Sequence, residues 1–201
     1  RSERSPLYDV PTVTEALDAI QLPEADSEAA LRMPVQDVYH FDDRRIIAGR
    51  IESGKLKVGD ELLFSPSNKR ARLQRIESWP DSDGRASAEA RQSVGLILDE
   101  QIFVERGEMI SHVVQPPLES NVFRGHLFWL GREPLTTGKQ YKLKLGTLEA
   151  PVTVQSIDRI IDIDDLAMTE AASGNASIER NGVGEVVLRS RAMLALDEFG
   201  N

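Results

Sequence analysis

Cysteine is absent from this chain of 201 residues, and aromatic residues make up only 5% of it. The lack of cysteine excludes disulfides, thiolate catalysis and cysteine-based zinc sites, and it indicates a reducing compartment, which we take to be the cytoplasm. No run approaches the roughly 20 apolar residues that a membrane-spanning helix needs, so we expect no membrane partner. The polar, charged N-terminus does not have the pattern of a signal peptide.

Positive charge is also scarce, since the net charge is −9 and no large block of the sequence is basic overall. Proteins that bind nucleic acid by charge carry a basic surface, so nucleic acid is not an expected partner. The local exception is a basic cluster of Lys69, Arg70, Arg72 and Arg75. This pattern is typical of the solvated outer face of a strand, and a contact for an acidic partner or a nucleic-acid backbone is the second interpretation.

Candidate metal ligands and nucleophiles do not fall into a functional spacing. The three histidines, His40, His112 and His126, are far apart and lack the spacing of metal ligands. No Ser-His-Asp arrangement or Gly-x-Ser-x-Gly elbow is present, and no pair of carboxylates is singled out for acid–base catalysis. We therefore predict no catalytic, cofactor-binding or metal-binding residue in this chain.

Two acidic segments are candidate cation sites. Asp81-Ser82-Asp83-Gly84 begins like a calcium loop, but Arg85 and Ala86 follow where an oxygen ligand and a glycine are needed. We interpret it as a tight turn. Asp162, Asp164 and Asp165 have no further ligand near them in sequence, and we interpret them as a solvated bend.

The segment 49–60 superficially matches a phosphate-binding loop. Gly54 and Lys55 have the spacing of that loop, but Leu56 replaces the Ser or Thr whose hydroxyl completes the magnesium shell. Gly54 also separates two alternating apolar runs, whereas a phosphate loop joins a buried strand to a helix. We predict a β-hairpin around Gly54, with a second turn at Gly59-Asp60.

Apart from one helix, hydrophobic periodicity predicts strands. Residues 11–21 predict a short amphipathic helix capped at Thr12 or Thr14, with Glu15 three residues after Thr12. From residue 32 onward, short alternating runs lie between turn residues, with the loosest pattern at 164–182. The predicted strands are 35–41, 45–51, 57–64, 71–78, 93–98, 108–114, 121–130, 139–145, 151–161 and 184–189.

We predict an all-β fold of two consecutive β-barrels preceded by one short N-terminal helix. Six short strands in the first part favour a closed barrel, which removes exposed edges. Gln115-Pro116-Pro117 is the clearest boundary, because consecutive prolines donate no ladder hydrogen bonds. The predicted units are a helix with linker at 1–31, a barrel at 32–115 and a barrel at 118–201.

Because aromatic residues are rare in this chain, three of them are notable: Trp79, Phe128 and Trp129. Neighbouring residues of a strand point to opposite faces, so either Phe128 or Trp129 should lie in a core. The other is then an interface anchor or a cover for the barrel end, and the sequence does not decide between these.

Residues 32–115 resemble the second domain of translation-factor-like GTPases, and the segment 8–18 looks like the last helix of their GTPase domain, with Val10 where glycine is usual. The matching segments of the barrel are Arg32-Met33-Pro34-Val35-Gln36-Asp37-Val38, Ala48-Gly49-Arg50-Ile51-Glu52-Ser53-Gly54, Leu56-Lys57-Val58-Gly59-Asp60 and Glu105-Arg106-Gly107. Residues 118–201 resemble the third domain of the GTPase subunit of the two-subunit ATP sulfurylase. That match rests on Phe128-Trp129-Leu130, Glu133-Pro134-Leu135, Gly138, Tyr141, Leu143-Lys144-Leu145-Gly146-Thr147 and the stretch 157–164.

The resemblance covers roughly residues 7–199 and implies a parent protein of sulfate assimilation. That parent would couple GTP hydrolysis to adenylyl transfer from ATP to sulfate. GTP and magnesium would be held by a nucleotide-binding domain that precedes Arg1, so this chain alone is not expected to be catalytic. Its expected partners are that GTPase domain and a small catalytic subunit. Family sequence continues beyond the segment like 196–199, so we expect either that the second barrel is C-terminally truncated or that another element fills the gap.

Two alternatives remain open from the sequence. One is a pair of tRNA-contacting barrels from a GTPase like elongation factor Tu. The other is a stand-alone barrel protein with no GTPase parent. The sequence does not predict the interface residues, the oligomeric state, or whether an adenylyl-sulfate kinase domain follows.

Overall fold

The computed structural model describes residues 11–20, 26–41, 44–78, 84–161, 168–170 and 176–199. The regular structure of these residues is almost entirely strand, as the hydrophobic periodicity predicted. The elements are α1 Val13–Asp18, β1 Met33–Phe41, β2 Arg44–Arg50, β3 Lys55–Lys57, β4 Glu61–Ser65, β5 Lys69–Glu77, β6 Ser87–Glu89, β7 Ser93–Leu98, β8 Met109–His112, β9 Leu118–Phe128, β10 Leu135–Thr136, β11 Gln140–Leu145, β12 Leu148–Ile161, β13 Met168–Glu170, β14 Ser177–Ile178 and β15 Val183–Leu196. Among them is no helix with the length and apolarity to cross a membrane.

The helix α1 begins where its capping signal predicts. The Glu15 amide donates to Thr12 Oγ1 over 3.2 Å, and the Thr12 amide donates to Glu15 Oε2 over 2.7 Å. These reciprocal bonds form a capping box, and they lower the pKa of the exposed Glu15 carboxyl. The apolar side chains Val13 and Leu17 are exposed, so the helix adds nothing to a core.

Strands β1 to β8 build the first barrel, which is closed. Six of them follow the order β1-β2-β7-β5-β4-β8, and β8 pairs with β1 through Met33 and Ile110 to complete the circle. Strict alternation drives this arrangement, since Ala71 and Leu73 of β5 point inward while Arg72 points to solvent. The barrel is filled by large apolar side chains such as Phe64, Leu96 and Ile110.

Strands β9 to β15 build the second unit, whose main sheet has the order β11-β12-β15-β9. Strand β13 pairs with β12, while β10 and β14 form a small separate ladder. Its core contains Leu135, Val154, Ile178 and Val186. Within the described residues β9 and β11 each pair with one neighbour only, so closure of this sheet into a barrel stays a prediction.

The predicted hairpin around Gly54 is wrong, although the turn is real. Strand β2 pairs with β1 and β7, and β3 pairs with β6, so β2 and β3 do not pair with each other. The turn is held instead by the segment before β1. The Gly54 amide donates to the Asp26 carbonyl over 2.7 Å, and the Glu52 amide donates to the Arg32 carbonyl over 2.8 Å. Sequence reasoning missed this because the partner segment has no strand pattern.

Two further differences from the predicted strands have a local cause. The predicted strand 57–64 is divided into β3 and β4 by Gly59, which has a φ of 97°. The unpredicted strands β6, β10, β13 and β14 have two or three residues each, which is too short for alternation to be recognised.

Substitutions at two glycines with positive φ test whether the turn at Gly54 is packed as described. A Cβ at Gly54 would lie 2.7 Å from the Leu31 backbone, whereas a Cβ at Gly59 would meet nothing within 4 Å. We expect Gly54→Ala to lower the free energy of unfolding by about 2–4 kcal/mol, from strain and backbone overlap together. Gly59→Ala should cost about 1 kcal/mol, from conformation alone. Urea unfolding of both variants measures the difference, and equal losses would contradict the described packing.

Candidate functional site

The candidate site is the polar contact between the first barrel and the second unit, which we call the seam. At its centre, the Arg32 guanidinium binds Asp197 with two hydrogen bonds of 2.7 Å, from Nε to Oδ2 and from Nη2 to Oδ1. Nη1 of Arg32 donates to the Leu31 and Gln115 carbonyls over 2.7 and 3.0 Å. With its side chain only 11% exposed, Arg32 thus ties the start of β1 to the inter-unit connection and to the end of β15.

A second group of contacts joins the two units on the other side of β1. The Thr147 hydroxyl, in the turn between β11 and β12, donates to the Val35 carbonyl over 2.6 Å. The Gly107 amide donates to the same carbonyl over 3.0 Å. A Cβ at Gly107 would lie 2.9 Å from a methyl carbon of Leu148 and 3.1 Å from its Cα, so only glycine permits this approach.

A third contact lies at the far edge of the seam. The Asn68 side-chain amide, at the turn between β4 and β5, donates to Glu119 Oε2 of β9 over 3.2 Å. Asn68 has a φ of 57°, a left-handed conformation that asparagine tolerates better than most residues. The units are therefore held together at three separated points.

Between these points lies a cavity of about 400 Å³, lined by both units. Its walls include Pro34 and Met109 from the barrel and Leu148 and Leu194 from the second unit. The Glu108 carboxyl also lines it. Glu108 is 9% exposed and accepts a hydrogen bond from the Ser67 hydroxyl over 3.0 Å.

Burial raises the pKa of the Glu108 carboxyl above its usual value. The hydrogen bond from Ser67 and the nearby Lys69 ammonium act in the opposite direction, and the Glu105 carboxylate adds to the rise. Folding thus shifts the Glu108 carboxyl toward proton binding relative to an ordinary glutamate, so proton binding and packing are linked at the seam.

The histidines singled out by sequence lie apart, as their spacing indicated. His112 Nε2 is 3.1 Å from Asp60 Oδ2 on the first barrel, and His126 Nε2 is 3.4 Å from Glu185 Oε2 on the second unit. In the described portion of the chain, no group of three or more His, Asp or Glu side chains has the arrangement of a metal site. The candidate carboxylates Asp81, Asp83, Asp162, Asp164 and Asp165 lie outside the described residues.

The aromatic prediction is confirmed for the pair in the second unit. Trp129 packs on the core with its ring edge-to-face to Tyr141, at 5.3 Å between centroids, and its indole Nε1 donates to the Glu133 carbonyl. Phe128 is exposed on the opposite face. Trp79 lies outside the described residues.

Sequence reasoning did not assign a role to any seam residue. A signal existed, because Arg32, Val35, Gly107 and Thr147 all lie in segments that resemble translation-factor-like GTPases or the ATP sulfurylase subunit. Arg106 is part of the same region, and its guanidinium donates to the Gln36 carbonyl. Resemblance alone marks such segments without saying that they meet in space.

Comparison with known proteins shows which of them share this architecture. Residues 122–201 match the family model described as GTP-eEF1A C-terminal domain-like. A solved structure of Sup35 complexed with GDP has a TM-score of 0.78 at 20% sequence identity, covering 96% of this chain and 47% of that one. The chain therefore has the fold of the β-barrel region of translation-factor-like proteins, as its motifs indicated.

Sequence relatives indicate a narrower class of protein than the fold does. Sulfate adenylyltransferase subunit 1 of Alteromonas mediterranea is 32% identical over 200 residues, which are 99% of this chain and 41% of that protein. The bifunctional enzyme NodQ of Rhizobium sp. strain N33 is 34% identical over 99% of this chain and 30% of its own length. This chain is thus related to sulfate adenylyltransferase subunit 1, which confirms the predicted resemblance, and it spans less than half of these relatives.

The Arg32–Asp197 pair is suited to a double-mutant cycle. Arg32→Gln and Asp197→Asn each remove one charge while keeping the shape of the partner. We expect a coupling free energy of about 1 kcal/mol, because the bonds are bidentate but Asp197 remains half exposed. Urea unfolding at low and high salt measures it, and a coupling near zero at both salt concentrations would show that the pair does not hold the seam.

Glu108 makes stability depend on pH. Because its folded-state pKa is raised, its contribution is fully present below the unfolded-state pKa and is lost as pH rises through the folded-state pKa. Glu108→Gln should therefore unfold at a higher temperature than the native chain at pH 8 and lose part of this pH dependence. Glu61→Gln, which removes an exposed carboxylate of β4 that is not among the groups acting on Glu108, is the control and should leave the dependence in place. A native pH profile retained by Glu108→Gln would contradict the assignment.

Proposed function

We propose that this chain is the non-catalytic β-barrel region of the GTPase subunit of a sulfate adenylyltransferase. The parent enzyme couples GTP hydrolysis to the formation of adenylyl sulfate and pyrophosphate from ATP and sulfate in the cytoplasm. The observation that carries the proposal is the 32% identity to sulfate adenylyltransferase subunit 1 along 99% of this chain. GTP and magnesium belong, in this proposal, to a separate nucleotide-binding domain of the parent.

The seam supports a mechanical role for the two units. A GTPase domain whose switch segments respond to GTP changes its packing against neighbouring domains. Contacts between domains of one chain typically bury roughly 600–1,500 Å² and permit such movement. Three separated contacts, at Arg32, Thr147 and Asn68, oppose independent motion of the two units. The barrel region then moves as one body and transmits displacement over its full length.

Two surfaces are suited to the remaining partners. The exposed apolar face of α1, with Val13 and Leu17, fits packing on the GTPase domain that the segment 8–18 resembles. The name subunit 1 borne by the relatives implies a second subunit. We propose that this partner is the small catalytic subunit, which performs the adenylyl transfer, and that the barrel region helps to hold it.

Contact with aminoacyl-tRNA is the second candidate. Its support is the overall fold, shared with Sup35 at 20% identity, which is a likeness of architecture. The chain's net charge of −9 argues against a phosphate backbone as partner. Binding of tRNA that weakens steeply with salt would favour this candidate over ours.

The isolated chain should neither bind GTP nor form adenylyl sulfate, and it should co-purify with a small adenylyl-transferring subunit. Isothermal titration calorimetry with GTP and magnesium, together with an adenylyl sulfate assay, measures the first part. GTP binding with a stoichiometry near one would refute the proposal. Co-expression with the small subunit measures the second part, and Arg32→Gln serves as a variant in which a loosened seam should weaken retention.

A further inference from the structure

The cavity of the seam contains a buried acid without a cation beside it. Glu108 lines this cavity of about 400 Å³ and is only 9% exposed. Within the described chain, no Lys, Arg or His nitrogen lies within 4.0 Å of its carboxylate. The Ser67 hydroxyl, the Glu105 backbone and the more distant Lys69 ammonium favour its charged form, but burial outweighs them and raises the pKa of Glu108. Glutamates that are buried this deeply are usually paired with a cation.

Apolar side chains of both units form much of the cavity wall. The first barrel contributes Pro34 and Met109, and the second unit contributes Leu148 and Leu194. The volume lies within the range typical of small-molecule sites, roughly 300–1,000 Å³, and such sites are common at contacts between domains. An occupant of this cavity therefore needs an apolar body that contacts both units.

The cavity can be reached from solvent on the side of the second unit. Met193, which lines it, is 43% exposed, and the lining residue Ala192 is exposed as well. The Glu149 side chain at this rim is half exposed, and it is already paired with Lys142 over 2.9 Å and with Lys144 over 3.2 Å. An occupant that enters here thus meets a neutralised acid first and an unpaired acid deeper inside.

The remaining charged residues of the wall do not supply the missing cation. Arg106 lines the cavity, but its guanidinium donates to the Gln36 carbonyl and forms no ion pair in the described part of the chain. The Glu105 carboxylate is also part of the wall and adds to the rise in the pKa of Glu108. The charged side chains of the wall are thus three carboxylates and one guanidinium, which favours a cation over an anion as occupant.

We propose that the seam cavity is a binding site for a small organic cation, an ammonium group on a slender alkyl chain. The ammonium donates a charge-assisted hydrogen bond to the Glu108 carboxylate, and the alkyl chain lies against Met109, Leu148 and Leu194. Because these side chains belong to both units, the ligand binds their docked arrangement and stabilises the seam. The inference goes beyond the proposed function, since the site lies within this chain and needs neither GTP nor a second subunit.

The test uses the 201-residue chain and hexylammonium as the probe, with hexanol and hexanoate as probes of the same alkyl chain. Two-dimensional NMR of the backbone amides at neutral pH should show saturable shifts at Gly107, Leu148 and Leu194 when hexylammonium is added. Hexanol should bind about tenfold more weakly, because it cannot form a charge-assisted bond with Glu108. Hexanoate, which brings a second carboxylate to the cavity, should not bind.

Variants separate the charge of Glu108 from the shape of the cavity. Glu108→Gln should weaken hexylammonium binding about tenfold and leave hexanol binding unchanged, since only the charge is removed. Ala192→Phe places a bulky side chain at the exposed rim and should abolish binding of both probes. Glu61→Gln removes an exposed carboxylate of β4 that does not line the cavity, and as the matched control it should bind like the native chain.

The pH dependence of binding gives an independent readout. Affinity of the native chain for hexylammonium should increase as pH rises through the pKa of Glu108, because the cation binds the ionised carboxylate, and Glu108→Gln should remove this increase. Any of three results would overturn the proposal: no saturable binding to the native chain, equal affinity for hexylammonium and hexanol, or equal hexylammonium binding by Glu108→Gln and Glu61→Gln.

Discussion

The two-unit architecture depends on one guanidinium group. Arg32 forms a bidentate ion pair with Asp197 and donates hydrogen bonds to two backbone carbonyls, so all three of its nitrogens are engaged. Lysine could not replace it, because an ammonium group lacks the planar fork that binds a carboxylate at two points. The neighbouring contact of Gly107 with Leu148 and the hydroxyl bond of Thr147 hold the units at the distance that this fork requires.

Strand content and the closed barrel could be predicted from sequence because alternation is a local signal. Residues 70–73 of β5 alternate between exposed and buried positions, so four letters of sequence show its two faces. The support of Gly54 by Asp26 could not be predicted, since a segment without periodicity has no visible partner. The seam was also invisible, because Arg32 and Asp197 meet only after both units have folded. The family resemblance shows which segments occur together in one class of protein, and periodicity cannot show this.

The charged residues could likewise be located from the sequence, but their surroundings are known only from the fold. The run from Lys69 to Arg72 could be recognised as basic from sequence, yet the fold divides it, because Lys69 lies over the Phe103 ring whereas Arg70 and Arg72 are exposed on the outer face of β5. Glu108 is one acid among 33 in the sequence, and its raised pKa follows from its burial in the fold. Burial is a property of the fold, and it decides which charged residues have consequences.

The bond between Arg32 and Asp197 spans 165 positions, nearly the whole described chain. During synthesis the N-terminal part of a protein folds first, at roughly 5–20 residues per second. The first barrel can close once β8 has been synthesised. Asp197 follows β15 and is synthesised several seconds later, so the Arg32 guanidinium has no carboxylate partner during that time. A nascent chain therefore passes through a stage in which the first barrel is complete and its side of the seam is still exposed.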